Sequence, residues 1–166
     1  MSLFTEALVV TPLADGSTWL ILRPFGYDVG YEGSGDTVRV STGFMTDFAS
    51  IPRIFWIFLP RWGKYGNAAV IHDWLYWTQN RTRKRADRIM LEAMEVLRVP
   101  RWKRFAIYSA VRTFGGLAWK RNQWDREAGF QRVVFDFRIE AGRKSSRPAL
   151  LKRTLKKLLN RVQPSS

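Results

Sequence analysis

Two helical stretches separated by only four polar residues constrain this chain more than any other feature. One runs from about Tyr65 to Thr78, the other from roughly Arg83 to Arg98, and the link between them is Gln79-Asn-Arg-Thr82. A connection that short makes the two helices antiparallel neighbours. Thr82 stands where a hydroxyl caps the second of them. On the first, residues three and four apart share a face, so Ala68, Ala69, His72 and Tyr76 form one stripe, and the two alanines let a neighbour approach closely. His72 lies six residues before Thr78 and Asp87 five after Thr82. At about 1.5 Å rise per residue, the two side chains are expected at nearly the same height across the interface.

A histidine facing a carboxylate supports a specific chemistry. Asp87 accepts the proton of one ring nitrogen and fixes the tautomer, which leaves the other nitrogen to take a proton from water. The same pair also serves a plain structural purpose, satisfying two polar groups at a helix interface. His72 is the chain's one histidine. Asp73, turned about 100° around the helix, points elsewhere and is suited to a hard cation such as calcium. Calcium takes roughly six to eight oxygens, so further ligands are expected from Asp47 in Gly43-Phe-Met-Thr-Asp-Phe-Ala-Ser50 and from carbonyls of Gly63-Lys-Tyr-Gly66. Solvated carboxylates or helix caps are the ordinary alternatives for Asp73 and Asp47.

Around this pair the remaining sequence predicts an α+β chain, with a small N-terminal antiparallel β-meander followed by a helical bundle. Strands are expected at Ala7 to Val10, Ser17 to Arg23 and Thr37 to Thr42, separated by the turn signals Ala14-Asp-Gly16 and Gly30-Tyr-Glu-Gly-Ser-Gly-Asp36. Ser50 and Pro52 suit the start of a helix that ends near Pro60. Val99-Pro100 breaks the chain before a helix from Trp102 to Trp119, softened at Gly115-Gly116, and Gln131 to Ile139 reads as a strand. Trp56, Trp74, Trp102 and Trp119 are expected in the core or at helix interfaces. Residues 1–140 read as one globular domain (strands over 1–50, helices over 51–119) and 141–166 as a basic linker and tail helix.

The net charge of +14 calls for anionic partners, whether lipid headgroups, nucleic acid or another anionic polymer. From Ala141 to Ser166 there are eight basic residues and no acidic one. Leu151, Leu155, Leu158, Leu159 and Val162 mark one face of an amphipathic helix, with Lys152, Arg153, Lys156, Lys157 and Arg161 on the other. Arg81, Arg83 and Lys84, beside the His72 site, are further candidates for holding an anionic partner. No nucleic-acid reading motif is present. The chain has no cysteine, which removes disulfides and thiol chemistry. No signal peptide or membrane-spanning segment is visible, so a soluble chain, or one that sits on a surface, is expected.

Several runs carry a resemblance. Thr46-Asp-Phe-Ala-Ser-Ile-Pro-Arg53, Trp62-Gly-Lys-Tyr-Gly66, Ala68-Ala-Val-Ile-His-Asp-Trp-Leu-Tyr76, Arg85-Ala-Asp-Arg-Ile-Met90 and Val111-Arg-Thr-Phe-Gly115 resemble domain-of-unknown-function family 1353, found in bacteriophages and prophages. Within it, His-Asp-x-x-Tyr at 72 to 76 and Ala-Asp at 86 to 87 are similar to the phospholipase A2 superfamily over about 25 residues. That likeness implies that His72 activates water, Asp73 binds calcium, Asp87 orients the histidine and Tyr76 supports the pair. The implied protein is a phage-derived, calcium-assisted ester hydrolase at anionic membranes, located in a bacterial host cytoplasm, in a virion or at the periphery of a membrane. A phage assembly or virion-associated protein that contacts phage structural proteins is the competing expectation, and a nucleic-acid-binding protein the third.

Overall fold

The computed structural model describes residues 3–47 and 65–134. The expected helix from Ile51 to Pro60, the carbonyls at 63 and 64, the strand beyond Val134, the linker and the basic tail with Lys152, Arg153, Lys156 and Lys157 lie outside the described residues.

Five short strands precede three helices: β1 (Val10–Pro12), β2 (Trp19–Ile21), β3 (Phe25–Asp28), β4 (Thr37–Val40), β5 (Met45–Thr46), α1 (Gly66–Thr78), α2 (Arg83–Val96) and α3 (Arg101–Glu127). The α+β class is as expected from the sequence, but the strands do not form one meander. They make two antiparallel sheets, β1-β2-β5 and β3-β4. Two strands were not expected from the sequence: β5, which is only two residues long, and β3, whose four residues are all buried so that no alternation of apolar and polar positions marks it. The N-terminal segment runs beside it, with the Thr5 amide donating to the Gly26 carbonyl and the Asp28 amide to the Leu3 carbonyl. A Cβ at Gly26 would stand 3.0 Å from the Thr5 hydroxyl and 3.2 Å from the Val38 carbonyl, so this crowded crossing favours glycine.

Helix α1 is buried nearly all round, including Ala68, Ala69, Val70, Ile71, Leu75 and Tyr76. A helix of that kind sits in the middle of a core, and α1 packs against α2, α3, β4 and β5. By contrast α2 is amphipathic, burying Ala86, Asp87, Ile89, Met90, Ala93 and Met94 along one face. Thr82 caps it as expected, its hydroxyl accepting from the Arg85 amide at 3.3 Å.

Two expectations about α3 fail. It runs unbroken through Gly115-Gly116 to Glu127 rather than stopping near Trp119, because its second half closes the C-terminus of α1. Asn122 donates to the Tyr76 carbonyl, Arg126 to those of Trp77 and Thr78, and the Gln79 side chain to the Trp119 carbonyl. Carbonyls left open at a helix end take such donors and favour a cation. The second failure is Trp102, which is 64% exposed on the outer face of α3. Trp74 and Trp119 do pack inward, edge-on to Phe44 and Tyr76. At the end of the described chain Val133 forms a bridge with Phe44.

One side chain ties the β-region to the helices. Glu92 on α2 accepts from the Tyr27 hydroxyl at 2.8 Å and from the Gly30 amide at 2.7 Å. Tyr27 is fully buried, and burial together with Glu92 pushes its phenol far above its ordinary range. Replacing Glu92 by Leu strands the buried Tyr27 hydroxyl and is expected to cost about 1–3 kcal/mol in urea unfolding. Glu92→Gln keeps an acceptor and loses less; equal losses for the two variants would contradict this account.

Candidate functional site

His72 and Asp87 meet as the helix spacing predicts. The His72 Nε2 lies 2.8 Å from Asp87 Oδ1, and both side chains are fully buried. The Tyr76 hydroxyl, one turn on from His72, donates to the same oxygen at 2.7 Å. The other oxygen, Oδ2, accepts from Arg112 Nη1 on α3 at 2.7 Å, with Arg83 Nη1 3.8 Å away.

These contacts decide where the protons sit. Burial pushes the Asp87 carboxyl up, but donors from His72, Arg112 and Tyr76 outweigh it and hold the group below its ordinary range. Burial likewise depresses the His72 imidazole, against the opposing pull of Asp87. An ionised Asp87 and a neutral His72 require that Nε2 carry the proton and donate it to Oδ1. The lone pair is then on Nδ1, which is buried and has no hydrogen-bond partner among the described residues.

Asp73 and Asp47 face one cavity of about 350 Å³, along with Tyr76, Asn122, Arg121 and Arg132. Its remaining wall is apolar, from Phe114, Leu117 and Ala118 of α3. The Thr46 hydroxyl donates to Asp73 Oδ2. His72 stands behind Tyr76 and is not one of the residues lining this cavity. Among the described residues no three His, Cys, Asp or Glu side chains gather as a metal-binding group. Carboxylate oxygens are nonetheless the donors a hard cation prefers, and Asp73 and Asp47 fit it on that ground.

The turn cations differ among themselves. Arg81 forms a two-pronged contact with Asp36, which Arg85 also approaches. Arg83 donates to the carbonyls of Val111 and Arg112. Lys84 is exposed.

Sequence reasoning found His72, Asp87 and Tyr76 but assigned no role to α3. The signal was Val111-Arg-Thr-Phe-Gly115, in which Arg112 and Gly115 are three apart and share a face. Gly115 is needed there, because a Cβ would lie 2.4 Å from the Tyr76 hydroxyl.

The dyad, the supporting Tyr76 and Arg112 and the cavity can now be set beside what the chain is similar to. It belongs to the family described as "Protein of unknown function (DUF1353)", whose model matches residues 19–111, more than half of the chain. It is also similar to a protein of Sinorhizobium fredii (strain NBRC 101917 / NGR234) named "Uncharacterized protein y4jT", at 42% identity over 78 residues. That stretch is 46% of this chain and 23% of the relative, so the chain spans less than a quarter of the relative's length. No solved structure matches. Among the described residues no helix is long and apolar enough to cross a membrane.

Two predictions test the geometry. Gly115→Ala ordinarily gains up to about 1 kcal/mol of helix propensity, but here the clash with Tyr76 is expected to outweigh it, for a net loss of about 1–3 kcal/mol. In a Tyr76→Phe background the nearest remaining ring carbon is 3.3 Å away, and the same change should cost much less. A double-mutant cycle on urea unfolding reads the difference; strict additivity would remove the close approach from the account.

The second concerns pH. His72 protonates near its ordinary value of about 6.5 in the unfolded chain and only at lower pH when folded. Between those points the unfolded state binds more protons, so stability falls as pH falls. Asp87, also depressed, extends the loss into its own more acidic range. Urea midpoints should therefore drop from about pH 6.5 downward, and His72→Gln should flatten the upper part of that drop. A wild-type profile level down to about pH 5 would contradict the burial of a neutral imidazole.

Proposed function

We propose that the chain is a phage-derived hydrolase that uses His72 as a general base on water to cleave ester bonds in anionic lipid. The observation that carries this reading is the asymmetry of the imidazole. Nε2 is held by an ionised Asp87, while Nδ1 is buried without a hydrogen-bond partner among the described residues. A histidine kept only to satisfy a helix interface would ordinarily have both nitrogens paired.

In the proposed reaction Nδ1 takes a proton from water as the water oxygen attacks the ester carbonyl carbon. Asp87 stabilises the imidazolium that forms. Collapse of the tetrahedral species breaks the bond to the leaving oxygen, which takes the proton back from Nδ1. Arg121 and Arg132 line the neighbouring cavity beside Phe114 and Leu117, a wall suited to a substrate that is anionic at one end and apolar at the other. Calcium belongs to the proposal as the ion Asp73 and Asp47 would hold, where it would polarise the ester carbonyl. The basic tail, with Lys152, Arg153, Lys156 and Lys157, would draw the protein to an anionic membrane.

A second reading is favoured by the complete burial of the dyad, which has no exposed surface at all. In it, His72 and Asp87 fix the packing of a phage assembly or virion-associated protein.

Mixed anionic phospholipid vesicles, with calcium and with chelator, separate the two. The hydrolase reading predicts calcium-dependent fatty-acid release that His72→Ala reduces on the order of 10³-fold or more. Undiminished release by His72→Ala would end it. Association of the protein with purified particles, with His72→Gln harmless to infectivity, would support the second reading.

A further inference from the structure

We propose that α3 is the third side of the His72 site, with Arg112 as a positioning residue that turns the Asp87 carboxylate so that one oxygen is kept for the imidazole. The inference takes its catalytic meaning from the hydrolase reading; its geometric content stands apart from it.

A carboxylate rotates broadly about its last torsion, so burial alone does not decide how the group is turned toward His72. The three hydrogen bonds to Asp87 do. His72 Nε2 and the Tyr76 hydroxyl, both from α1, converge on Oδ1. Arg112 Nη1 from α3 takes Oδ2 at 2.7 Å, and Arg83 Nη1 on Asp87's own helix stands 3.8 Å from that oxygen. Arg112 brings a full positive charge to the carboxylate, so Coulomb attraction adds to its hydrogen bond, whereas His72 and Tyr76 offer hydrogen bonds alone. Arg112 is therefore the contact that sets the rotation, and the neutral donors take the oxygen that remains.

Gly115 completes the arrangement one turn further along α3. The Tyr76 hydroxyl reaches Oδ1 by lying against the Gly115 backbone, where a Cβ would stand 2.4 Å from it. One helix thus acts on both oxygens, directly through Arg112 and indirectly through the room Gly115 gives Tyr76. Arg83 ties the assembly together, since it donates to the carbonyls of Val111 and Arg112 at 3.3 and 3.1 Å. The Arg112 side chain is 32% exposed whereas Asp87 is fully buried. It reaches inward from the surface, so it is open to substitution without a hole in the core.

The chain has a single histidine, so ¹⁵N labelling of histidine gives the ring nitrogens of His72 alone. At one fixed neutral pH the wild type should show a protonated Nε2 and an unprotonated Nδ1. Arg112→Gln should move both resonances toward a tautomer average, and Arg112→Lys, which keeps charge but not the fork, should move them less. In vesicle assays Arg112→Gln should lower kcat on the order of tenfold with KM changed less than about twofold. A folded Arg112→Gln protein whose ring nitrogens coincide with those of the wild type overturns the proposal. If that variant does not fold, Arg112→Lys decides in its place: displaced resonances support the positioning role and unmoved ones overturn it. Displaced resonances in Arg112→Gln, together with a wild type that releases no fatty acid, would overturn the enzymatic reading and leave the positioning role intact.

Discussion

The Asp87 carboxylate is the interaction on which the rest of this structure depends. A buried charge without partners is among the most costly things a fold can contain. Asp87, on α2, has no exposed surface and accepts from His72 and Tyr76 on α1 and from Arg112 on α3, with Arg83 of its own helix 3.8 Å away. Sliding any helix by one turn, about 5.4 Å, would break at least one of these contacts. The carboxylate therefore fixes the register of the bundle as well as the tautomer of the histidine. Apolar packing of Ala68, Ala69, Ile89, Met90 and Val111 holds the helices together, but such contacts specify alignment less sharply than a satisfied polar network does.

The same arrangement separates the labours of neighbouring residues on α1. His72 and Tyr76 face α2 and the carboxylate, while Asp73 turns toward β5, where the Thr46 hydroxyl binds it, and toward the cavity shared with Asp47. Tyr76 belongs to both sides, since it bonds Asp87 and lines the cavity. That makes Tyr76 the physical link between the buried dyad and the cavity. On the far wall α3 supplies Phe114 and Leu117 beside Arg121, so one long helix carries both the support of the dyad and the rim of the cavity.

How much of this was legible in the sequence follows from the range of each interaction. The α1–α2 hairpin, the Thr82 cap and the equal height of His72 and Asp87 depend on local periodicity and a four-residue connection, and all were readable. Arg112 and Gly115 were not, because their importance comes from a helix whose docking no local pattern reports. The glycine pair read as a weak point, whereas Gly115 is a close approach and the helix continues to cap α1 through Asn122 and Arg126. Strand β3 escaped for a related reason: with both faces covered, Phe25-Gly-Tyr-Asp28 shows no alternation. Arg81 reads as a free cation in a polar turn, but Asp36, far away in sequence, pairs with it.

The proposed hydrolase stands on Asp87 holding His72 with its Nδ1 lone pair unpartnered among the described residues, so that it could take a proton from water. A high-resolution crystal structure at neutral pH tests this most directly. The account predicts an ordered water within roughly 2.7–3.2 Å of Nδ1 and a path from it to the cavity beside Tyr76. A backbone or side-chain donor bonded to Nδ1, or carbon atoms packed against it, would contradict the account and leave the dyad a structural pin.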